Sequence, residues 1–294
     1  MKKKTKKKVL VTGSSGFLGS NLVDFLKKKN FDVVLFDNKP SQFKSKNDRE
    51  FLGSLLDKNL IRKALKGCDA IFHFAAISDI DFSIKNPSET IQTNVVGTIN
   101  IIEEALKQKI HRFIYASTIY IYSDKGSFYR VSKSSSEEII YEYAKNSKLL
   151  PTVLRFGSLY GPRAPKTNLI TKSILNAINK KEIIFYSKGE EIREYIHVYD
   201  AVNLTIKTLD SKYINKNLII SGKEKFRIKD MMKIITEIFE KKIKLKFIQS
   251  KKFSNHYEIT PFIHKSNFAK KISLDESIDF GQGVLDLINK LDNR

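Results

Sequence analysis

The sequence predicts an α/β protein built on a doubly wound parallel sheet. Short runs of Val, Ile, Leu and Phe alternate with longer segments of helical spacing, and a glycine-rich turn joins the first run to the first helix. Strands that are apolar on both sides indicate a sheet covered by helices on both faces, as parallel sheets are. The predicted strands are "KVLVTG", "FDVVLFD", "DAIFHFAA", "HRFIYAS" and "LLPTVLRF", which begin at residues 8, 31, 69, 111 and 149.

Helices are predicted between these strands. The first has apolar residues spaced along one helical face. They are Phe17, Leu18, Leu22, Phe25 and Leu26. A long helix is predicted over 87–107, because its first residue is proline, which suits the first helical turn. The stretch from Ser127 is predicted to be helical through Tyr143.

The pattern changes after the last of these strands. Residues 182–204 predict a hairpin-like pair of strands leading into a helix, and the C-terminal third predicts helix, strand and helix. We therefore divide the chain into a large domain over 1–160, to which 196–222 return, and a smaller α+β lobe made of 161–195 and 223–294.

The composition fits a globular protein of the cytoplasm. Apolar residues make up 41% of the chain and charged residues 29%, and no apolar stretch approaches the length of a membrane span. Cys68 is the only cysteine, so no intrachain disulfide can form, which suits a reducing compartment. We expect a cytoplasmic protein with no membrane association, and we assign no metal site.

The net charge of +21 could suggest nucleic acid binding. However, only nine of the 53 basic residues are arginine, the side chain that binds phosphates and bases with a fork. The lysines are spread over every predicted element instead of forming one stripe. A lysine-rich composition therefore explains the charge, and no nucleic acid partner is expected.

A glycine motif, "VTGSSGFLGS", follows the first strand and opens the first helix. Gly13, Gly16 and Gly19 would allow a tight turn and let backbone N–H groups approach a pyrophosphate at the positive end of the helix. The spacing GxxGxxG differs from the common GxGxxG dinucleotide motif. Because ordinary turns also contain glycine, the motif gains its weight from the strand–turn–helix context.

Asp37 ends the second predicted strand and is followed by Asn38. A carboxylate here can accept hydrogen bonds from both hydroxyls of an adenosine ribose and would repel a 2′-phosphate, which favours NAD over NADP. Asp-Asn also suits a turn at the end of a strand. With the glycine motif upstream, the cofactor role is favoured.

The next predicted strand ends in "HFAA". Its carboxyl end lies where open α/β sheets bind ligands, and the small side chains of Ala75 and Ala76 would let a cofactor pass close to the backbone. His73 lies between apolar neighbours, so we interpret it as a core histidine rather than a catalytic one.

Tyr129 and Lys133 stand four residues apart on a predicted helix, so they share one face. The preceding strand ends in Ser117 and Thr118. A general base works best when its pKa approaches the working pH, and a nearby cation favours ionised tyrosine. Lys133 and a positive nicotinamide would supply that cation, while Thr118 holds a substrate hydroxyl and Tyr129 removes its proton. This spacing is common by chance, and its position in a nucleotide-binding sheet gives it weight.

Together these motifs resemble the extended short-chain dehydrogenase/reductase superfamily, in its nucleotide-sugar epimerase/dehydratase branch, and are similar to UDP-glucose 4-epimerases. The resemblance implies a Rossmann-type sheet with a smaller C-terminal α+β substrate lobe, tightly held NAD as a transient hydride acceptor at a sugar carbon, commonly C4, and a nucleotide-sugar substrate. The matching segments are "TGSSGFLG", "LFDN", "HFAA", "SIKNPSETIQTNVVGTINIIEEA", "STIYIYS", "YRVSK", "LRFGSLYGPR" and "REYIHVYDAVN".

The resemblance also implies site residues. The catalytic residues would be Thr118, Tyr129 and Lys133. Cofactor contacts would come from Gly13, Gly16, Phe17, Leu18, Gly19, Asp37, Asn38, Ser54, Leu55, Phe74, Ala75, Ala76, Asn94, Ser117, Tyr129, Lys133 and Phe156. Substrate contacts would come from Ser78, Thr118, Tyr129, Ser158, Asn168 and Arg193. Arg193 matches the family's arginine on the nucleotide diphosphate, where a guanidinium suits two phosphates better than an ammonium does.

Three departures from the family pattern matter. Gly53-Ser54 replaces a frequent Gly-Asp, so backbone contacts would replace an adenine contact. Ser158 replaces a frequent asparagine of the substrate site. Ile119 and Tyr120 replace the Asp-Glu pair with which 4,6-dehydratases of the family protonate and eliminate the C6 hydroxyl. We therefore expect a 4-epimerase acting on UDP-sugars rather than a dehydratase.

Two alternatives remain open. A 4-keto-sugar reductase or dehydrogenase of CDP- or dTDP-linked deoxysugars would keep the fold but turn over NAD(P)H, and Asp37 disfavours only NADPH. A non-catalytic homologue that binds RNA or senses the cofactor would suit the charge, but such proteins often lose the tyrosine or the lysine. Many relatives dimerise through the helix after Pro87 and the Tyr129 helix, so a homodimer is expected.

Overall fold

The structure, a computed structural model, describes residues 6–240, 242–248, 256–261 and 269–292. The strands are β1 Lys8–Thr12, β2 Asp32–Asp37, β3 Arg49–Leu52, β4 Ala70–His73, β5 Arg112–Thr118, β6 Leu150–Phe156, β7 Ser158–Tyr160, β8 Glu182–Phe185, β9 Ile192–Arg193, β10 Tyr195–His197, β11 Lys216–Ile220, β12 Phe226–Arg227, β13 Lys244–Phe247 and β14 Lys270–Ile272. Within the described residues, eight of them form one sheet in the order β14-β11-β6-β5-β4-β1-β2-β3. Every neighbouring pair in this sheet is parallel.

The described residues form ten α-helices, which cover both faces of the sheet and build the smaller lobe. They are α1 Phe17–Lys28, α2 Lys58–Leu65, α3 Ile80–Lys85, α4 Pro87–Ile91, α5 Gly97–Lys107, α6 Ser127–Asn146, α7 Leu169–Lys180, α8 Val198–Lys207, α9 Ile228–Ile238 and α10 Phe280–Asp292. Strand residues alternate between two cores: Val9 packs with α1 and α8, whereas Leu10 packs with α2, α5 and α6. The predicted doubly wound parallel sheet is confirmed. In the ranges that the structure covers, no helix combines the length and the apolar character needed to cross a bilayer.

The smaller lobe has a separate core. Ile174 of α7, Met231 of α9 and Leu287 of α10 are buried together against Ile183 of β8. This lobe is joined to the large sheet by β7 and β10, which form a short parallel pair directly after β6 and directly before α8. The arrangement leaves the carboxyl ends of β5 and β6 facing the region where the two parts meet.

Two local predictions differ from the structure. The hairpin-like pair predicted within 182–204 is wrong, because each strand finds a distant partner: β8 pairs in parallel with β13, β9 pairs antiparallel with β12, and β10 pairs with β7. The sequence prediction also missed β3, a half-exposed edge strand without a buried apolar run. The predicted division into domains stays a prediction, although β14, within 223–294, pairs with β11 at the edge of the large sheet.

Candidate active site

The glycine motif forms a tight turn between β1 and α1. Gly13 has φ +70°, and its N–H donates to the Phe36 carbonyl at 2.9 Å. A Cβ at Gly13 would lie 2.7 Å from the Ala75 nitrogen, and a Cβ at Gly19 would lie 2.0 Å from the Gly13 carbonyl oxygen. These two positions therefore require glycine for packing within the chain.

Gly16 differs from its two neighbours in the motif. It has φ −74°, and the nearest atom to a Cβ there would be the Gly13 oxygen at 3.3 Å, so the fold alone requires glycine less strictly. Within the described part of the chain, no side chain caps the first turn of α1, and the buried Ser14 hydroxyl has no hydrogen-bond partner. An uncapped helix start, next to a buried hydroxyl without a hydrogen-bond partner, fits the pyrophosphate of a dinucleotide. The N–H groups of Phe17 and Leu18 lie in this first turn and would donate to the pyrophosphate.

The end of β2 is joined to the glycine turn through Asp37. Its Oδ2 accepts the Ser15 N–H at 2.9 Å, and its Oδ1 accepts the Lys39 N–H at 3.1 Å. The Gly53 N–H donates to the Asp37 carbonyl oxygen at 2.9 Å, which brings the predicted adenine-binding segment beside it. The Leu55 carbonyl of that segment accepts a hydrogen bond from Asn100 Nδ2 at 3.0 Å. Asp37, Asn38, Ser54 and Leu55 thus lie along one edge of the predicted cofactor site.

The segment after β4 crosses the glycine turn. The N–H groups of Phe74 and Ala75 both donate to Thr12 Oγ1 at 3.1 Å. The ring of Phe74 lies 6.0 Å from that of Phe156 at the end of β6. Ala75, Ala76 and Ser78 therefore follow the carboxyl ends of β1 and β4, as predicted for a strand that borders a cofactor.

His73 is a core residue. It is buried, with Nδ1 2.8 Å from Thr12 Oγ1 and Nε2 3.0 Å from Thr98 Oγ1. Burial, with a smaller effect of Lys133, lowers its pKa to about 3, so the ring is neutral. The interpretation of His73 as a satisfied core histidine is confirmed.

The predicted long helix over 87–107 contains a π-helical turn, Gln92–Val96, between α4 and α5. Such a turn loosens the backbone ladder and often occurs at functional sites. Within it, the Asn94 carbonyl accepts hydrogen bonds from Ser136 Oγ at 3.0 Å and Thr98 Oγ1 at 2.6 Å. Its side-chain Nδ2 donates to Ser132 Oγ at 2.9 Å and to the Ile77 carbonyl at 2.9 Å.

These contacts explain the serine-rich sequence around Lys133. Ser132 and Ser136 lie on either side of Lys133 along α6 and fasten that helix to the π-helical turn. Asn94 was predicted to line the cofactor. Because its amide also accepts the Ile77 N–H at 2.8 Å, it fixes the segment that borders the cofactor site.

The three predicted catalytic residues come together where β5 ends and α6 begins. Thr118 is the last residue of β5, and α6 starts after Gly126, which has φ +92°. The Tyr129 N–H donates to Ser83 Oγ at 3.3 Å. Lys133 is 3% exposed, and its Nζ lies 4.1 Å from the centre of the Tyr115 ring.

Burial dominates the acid–base properties of this group. It raises the pKa of Tyr129 to about 12, an effect that the Thr118 hydroxyl partly offsets. It lowers the pKa of Lys133 to about 7, an effect that the Glu137 carboxylate partly offsets. The predicted help of Lys133 in ionising Tyr129 is not among the effects that shift the Tyr129 pKa in the ligand-free chain, where burial dominates. Any positive charge brought beside the phenol would lower its pKa.

Three of the predicted substrate residues, Ser158, Asn168 and Arg193, have different surroundings. Arg193 is buried, and its guanidinium lies 4.1 Å from the ring centre of Tyr257 and donates to the carbonyls of Tyr257 and Glu258. Ser158 Oγ lies 3.3 Å from the same tyrosine's Oη. Asn168, in contrast, caps α7 through the Thr171 N–H at 3.3 Å. Arg193 and Ser158 therefore both contact Tyr257, whereas Asn168 caps the start of α7.

The sequence prediction missed three aromatic residues of this cluster. Tyr120 Oη lies 2.7 Å from His256 Nδ1, and the Tyr120 ring lies 4.8 Å from that of Tyr257 and 6.3 Å from that of Tyr129. No local motif marks His256 or Tyr257. The sequence indicates for Tyr120 only that it replaces a residue of the Asp-Glu pair of the dehydratases. This aromatic group borders the side of Tyr129 that faces the lobe.

Comparisons with known proteins show which families and folds this chain resembles. A sequence model of the NAD dependent epimerase/dehydratase family matches residues 9–220. The UDP-N-acetyl-alpha-D-glucosaminuronate decarboxylase of Bacillus cytotoxicus is 30% identical over 280 residues, covering 85% of this chain and 86% of the relative. The putative UDP-glucose 4-epimerase of Methanocaldococcus jannaschii is 31% identical over 237 residues, covering 74% of this chain and 77% of the relative.

A solved structure extends the likeness to the smaller lobe. The UDP-glucuronic acid 4-epimerase from Bacillus cereus, crystallised in complex with UDP-glucuronic acid and NAD, superposes with a TM-score of 0.82. It is 23% identical and covers 97% of this chain and 99% of that chain. At this level of identity the likeness establishes the fold alone.

Proposed function

The chain belongs to the NAD-dependent epimerase/dehydratase family, and on that basis we propose that it is a nucleotide-sugar 4-epimerase that acts on UDP-sugars. The observation that carries the proposal is the meeting of Thr118, Tyr129 and Lys133 at the carboxyl ends of the sheet, with Ile119 and Tyr120 in the two positions after Thr118. Residues 1–160 with 196–222 would hold NAD, and the smaller lobe would hold the nucleotide sugar.

NAD, the cofactor of this family, supplies a hydride acceptor that can return the hydride to the other face of the sugar. In the proposal, Thr118 holds the C4 hydroxyl by a hydrogen bond, and Tyr129 takes its proton as the general base. Lys133 supplies the positive charge that lowers the pKa of the Tyr129 phenol once both are enclosed. Tyr129 then returns the proton to the oxygen after the ketone has turned in the site.

The two residues after Thr118 disfavour dehydration. Elimination of a hydroxyl from C6 needs an acid to protonate the leaving oxygen and a base to take the C5 proton. Ile119 has no titratable group, and burial raises the pKa of the Tyr120 phenol far above neutrality. Neither side chain is a carboxyl group, the acid and base with which 4,6-dehydratases of the family eliminate the C6 hydroxyl, and this supports epimerisation over dehydration.

Decarboxylation is the second candidate function, favoured by the 30% identity to the Bacillus cytotoxicus decarboxylase. Oxidation at C4 would place a ketone β to the carboxylate of a uronic acid, and CO₂ would then leave with the electron pair passing to the ketone oxygen. Thr118, Tyr129 and Lys133 would serve both reactions. The fate of the C4 ketone, which either takes the hydride back or loses CO₂ from C6, separates the two, and the first chemical step does not.

The proposal predicts the interconversion of a pair of UDP-sugars that differ at C4. We expect purified, NAD-containing protein to convert one of UDP-glucose, UDP-N-acetylglucosamine or UDP-glucuronic acid to its galacto epimer without net formation of NADH. Chromatography of the sugar nucleotides measures the conversion, and absorbance at 340 nm measures the redox balance. Tyr129→Phe serves as the control for activity from contaminants.

Other products would reject the proposal. Release of CO₂ from a UDP-uronic acid would establish the decarboxylase, and stoichiometric consumption of NADH or NADPH with a 4-keto sugar would establish a reductase. A protein that contains NAD but interconverts none of these pairs is not the epimerase proposed here.

We also propose that the protein forms a homodimer through α6 and the π-helical turn. Val96 in that turn and Val131 on α6 are 40% and 38% exposed. Phe82 is also exposed, and it lies on α3, which contacts α6. Burying such side chains against a second copy would stabilise the dimer by about 25 cal/mol for each Å² of apolar surface.

The double variant Val96→Glu/Val131→Glu is expected to shift the protein from dimer to monomer, because it would place like charges in the contact. Light scattering measures the mass. Leu285→Glu on α10 is the matched control, since Leu285 is similarly exposed but lies elsewhere. A monomeric parent protein, or a double variant that remains dimeric, would contradict the proposed contact.

A further inference from the structure

A buried ion pair lies beside the proposed catalytic group. Glu137 of α6 and Arg155 of β6 are 2% and 5% exposed. Arg155 Nη2 donates to Glu137 Oε2 at 2.6 Å, and its Nε donates to Oε1 at 3.2 Å. Ser117 Oγ donates to Oε1, and Tyr141 Oη donates to Oε2 at 2.9 Å. The carboxylate thus accepts four hydrogen bonds, from β5, β6 and its own helix.

The ion pair is hydrogen-bonded to residues on both sides of Thr118 in the chain. Ser117, bonded to Glu137, directly precedes Thr118 and stands opposite Arg155 in the register of β5 and β6. Arg155 Nη1 donates to Tyr122 Oη at 2.6 Å, and Tyr122 ends the short 3₁₀ turn Ile119–Tyr122 that follows Thr118. The position of Thr118 relative to α6 is therefore set through this ion pair.

Glu137 is also one helical turn from Lys133. The groups that face the Lys133 ammonium are His73 from β4, Tyr115 from β5 and Glu137 from α6, and Tyr129 lies one helical turn before Lys133 on α6. His73 is neutral, and neither tyrosine ionises near neutral pH, because burial raises the pKa of both phenols. Glu137 is the group in this set that carries a negative charge toward Lys133, and Arg155 lies on the far side of that carboxylate.

Stability alone does not account for such a pair. The cost of removing two charges from water offsets most of their attraction, and an apolar pair of the same volume often stabilises a fold as well or better. A charged pair in this place is explained better by what it does to the groups around it.

We propose that Glu137 is a positioning residue of the catalytic centre: it fixes Thr118 relative to α6 and supplies the negative charge that favours the protonated form of the buried Lys133. The kinetic consequence rests on the proposed function, whereas the effect on Lys133 can be measured without any substrate.

The charge of Lys133 can be followed by NMR in protein that contains ¹³C-labelled lysine. Exposed lysines stay protonated between pH 5 and 9, so the ε-carbon signal that titrates in this range, and that is absent from Lys133→Arg, belongs to Lys133. We expect Glu137→Gln to move its midpoint to lower pH by about one unit. Glu104→Gln is the matched control, because it removes a buried carboxylate of α5 that pairs with Arg62 of α2 and Lys107 of α5. It should leave the Lys133 midpoint unchanged.

Kinetics test the positional half of the proposal. Glu137→Gln is expected to lower kcat by about 10- to 100-fold with little change in KM, because Thr118 holds the reacting oxygen and Lys133 acts on the phenol that takes its proton. The double variant Glu137→Met/Arg155→Leu removes both partners of the ion pair and leaves neither one unpaired, so the fold should recover stability relative to Glu137→Gln while kcat stays low. Glu137→Asp, which keeps the charge, should recover part of the rate.

The outcomes separate this inference from the proposed function. A Lys133 midpoint that does not move in Glu137→Gln, or full kcat in the double variant, would show that the pair is only structural and would overturn the inference. A shifted midpoint in a protein that epimerises no UDP-sugar would support the effect on Lys133 and would reject the epimerase alone.

Discussion

Tyr129→Phe is expected to lower kcat by about 10³-fold, while NAD still binds and the melting temperature changes little. The phenol is the proposed general base, and the loss of a positioned base typically costs 10²- to 10⁴-fold. Phenylalanine keeps the ring, which packs against Tyr120, and removes only the oxygen. The loss should therefore fall on kcat and not on the stability of the fold.

The pH dependence gives a second measurement of the same residue. Burial raises the pKa of Tyr129 to about 12 in the ligand-free chain, so only a small fraction is ionised at pH 7. The rate of the parent enzyme should consequently rise with pH as the phenol of the ligand-bound enzyme ionises, up to the pH at which Lys133 loses its proton. The residual rate of Tyr129→Phe should show no such rise.

Tyr120→Phe is the matched control for this experiment. Its phenol is buried in the same aromatic cluster and bonds to His256, but no proton transfer is assigned to it. We expect kcat within about tenfold of the parent, as for the loss of one ordinary hydrogen bond. Equal loss in both variants, or none in Tyr129→Phe, would show that Tyr129 is not the base.

The sheet and its glycine turn were predictable because their signals are local. Continuous apolar runs mark the central strands, and Gly19 is required by its contact with Gly13 within the turn. Gly13 is required by its positive φ and by the segment that follows β4, the strand beside β1 in the sheet. The carboxyl ends of parallel strands meet at one edge, which brought Asp37, Ala75 and Thr118 to the same side without further information.

The aromatic side of the site could not be predicted because its contacts are long-range. Tyr120 and His256 are 136 residues apart in the chain, and no spacing rule connects them. The hairpin prediction failed for the same reason, since β8 takes its partner from β13 rather than from the next segment. The π-helical turn at Asn94 depends on the serines of α6, so it too arises only when the helices pack.

Lys133→Met is expected to abolish most of the activity and yet to stabilise the ligand-free protein. Lys133 is almost fully buried, with its ammonium over the Tyr115 ring. Burial lowers its pKa from 10.5 to about 7, which means that the folded chain disfavours the charged form. Methionine has a similar length and packs well beside aromatic rings, so it removes the charge and leaves no large cavity.

The sign of the stability change depends on pH in a defined way. Below pH 7, Lys133 is protonated in both the folded and the unfolded chain, and the whole cost of burying the charge is present. At about 1.4 kcal/mol for each pH unit, the interval from 10.5 to about 7 corresponds to roughly 5 kcal/mol. Between pH 7 and 10.5 only the unfolded chain keeps the proton, so the parent gains stability as pH rises.

Urea unfolding at pH 6 and pH 9 measures this difference. The advantage of Lys133→Met over the parent should be about 5 kcal/mol at pH 6 and fall to about 2 kcal/mol at pH 9. Lys145→Met, an exposed position on the same helix, should show no advantage at either pH. A less stable Lys133→Met protein at pH 6 would mean that the buried ammonium stabilises the fold. Lys133 would then be a structural cation. The interpretation that its buried charge destabilises the fold and acts on Tyr129 would be wrong.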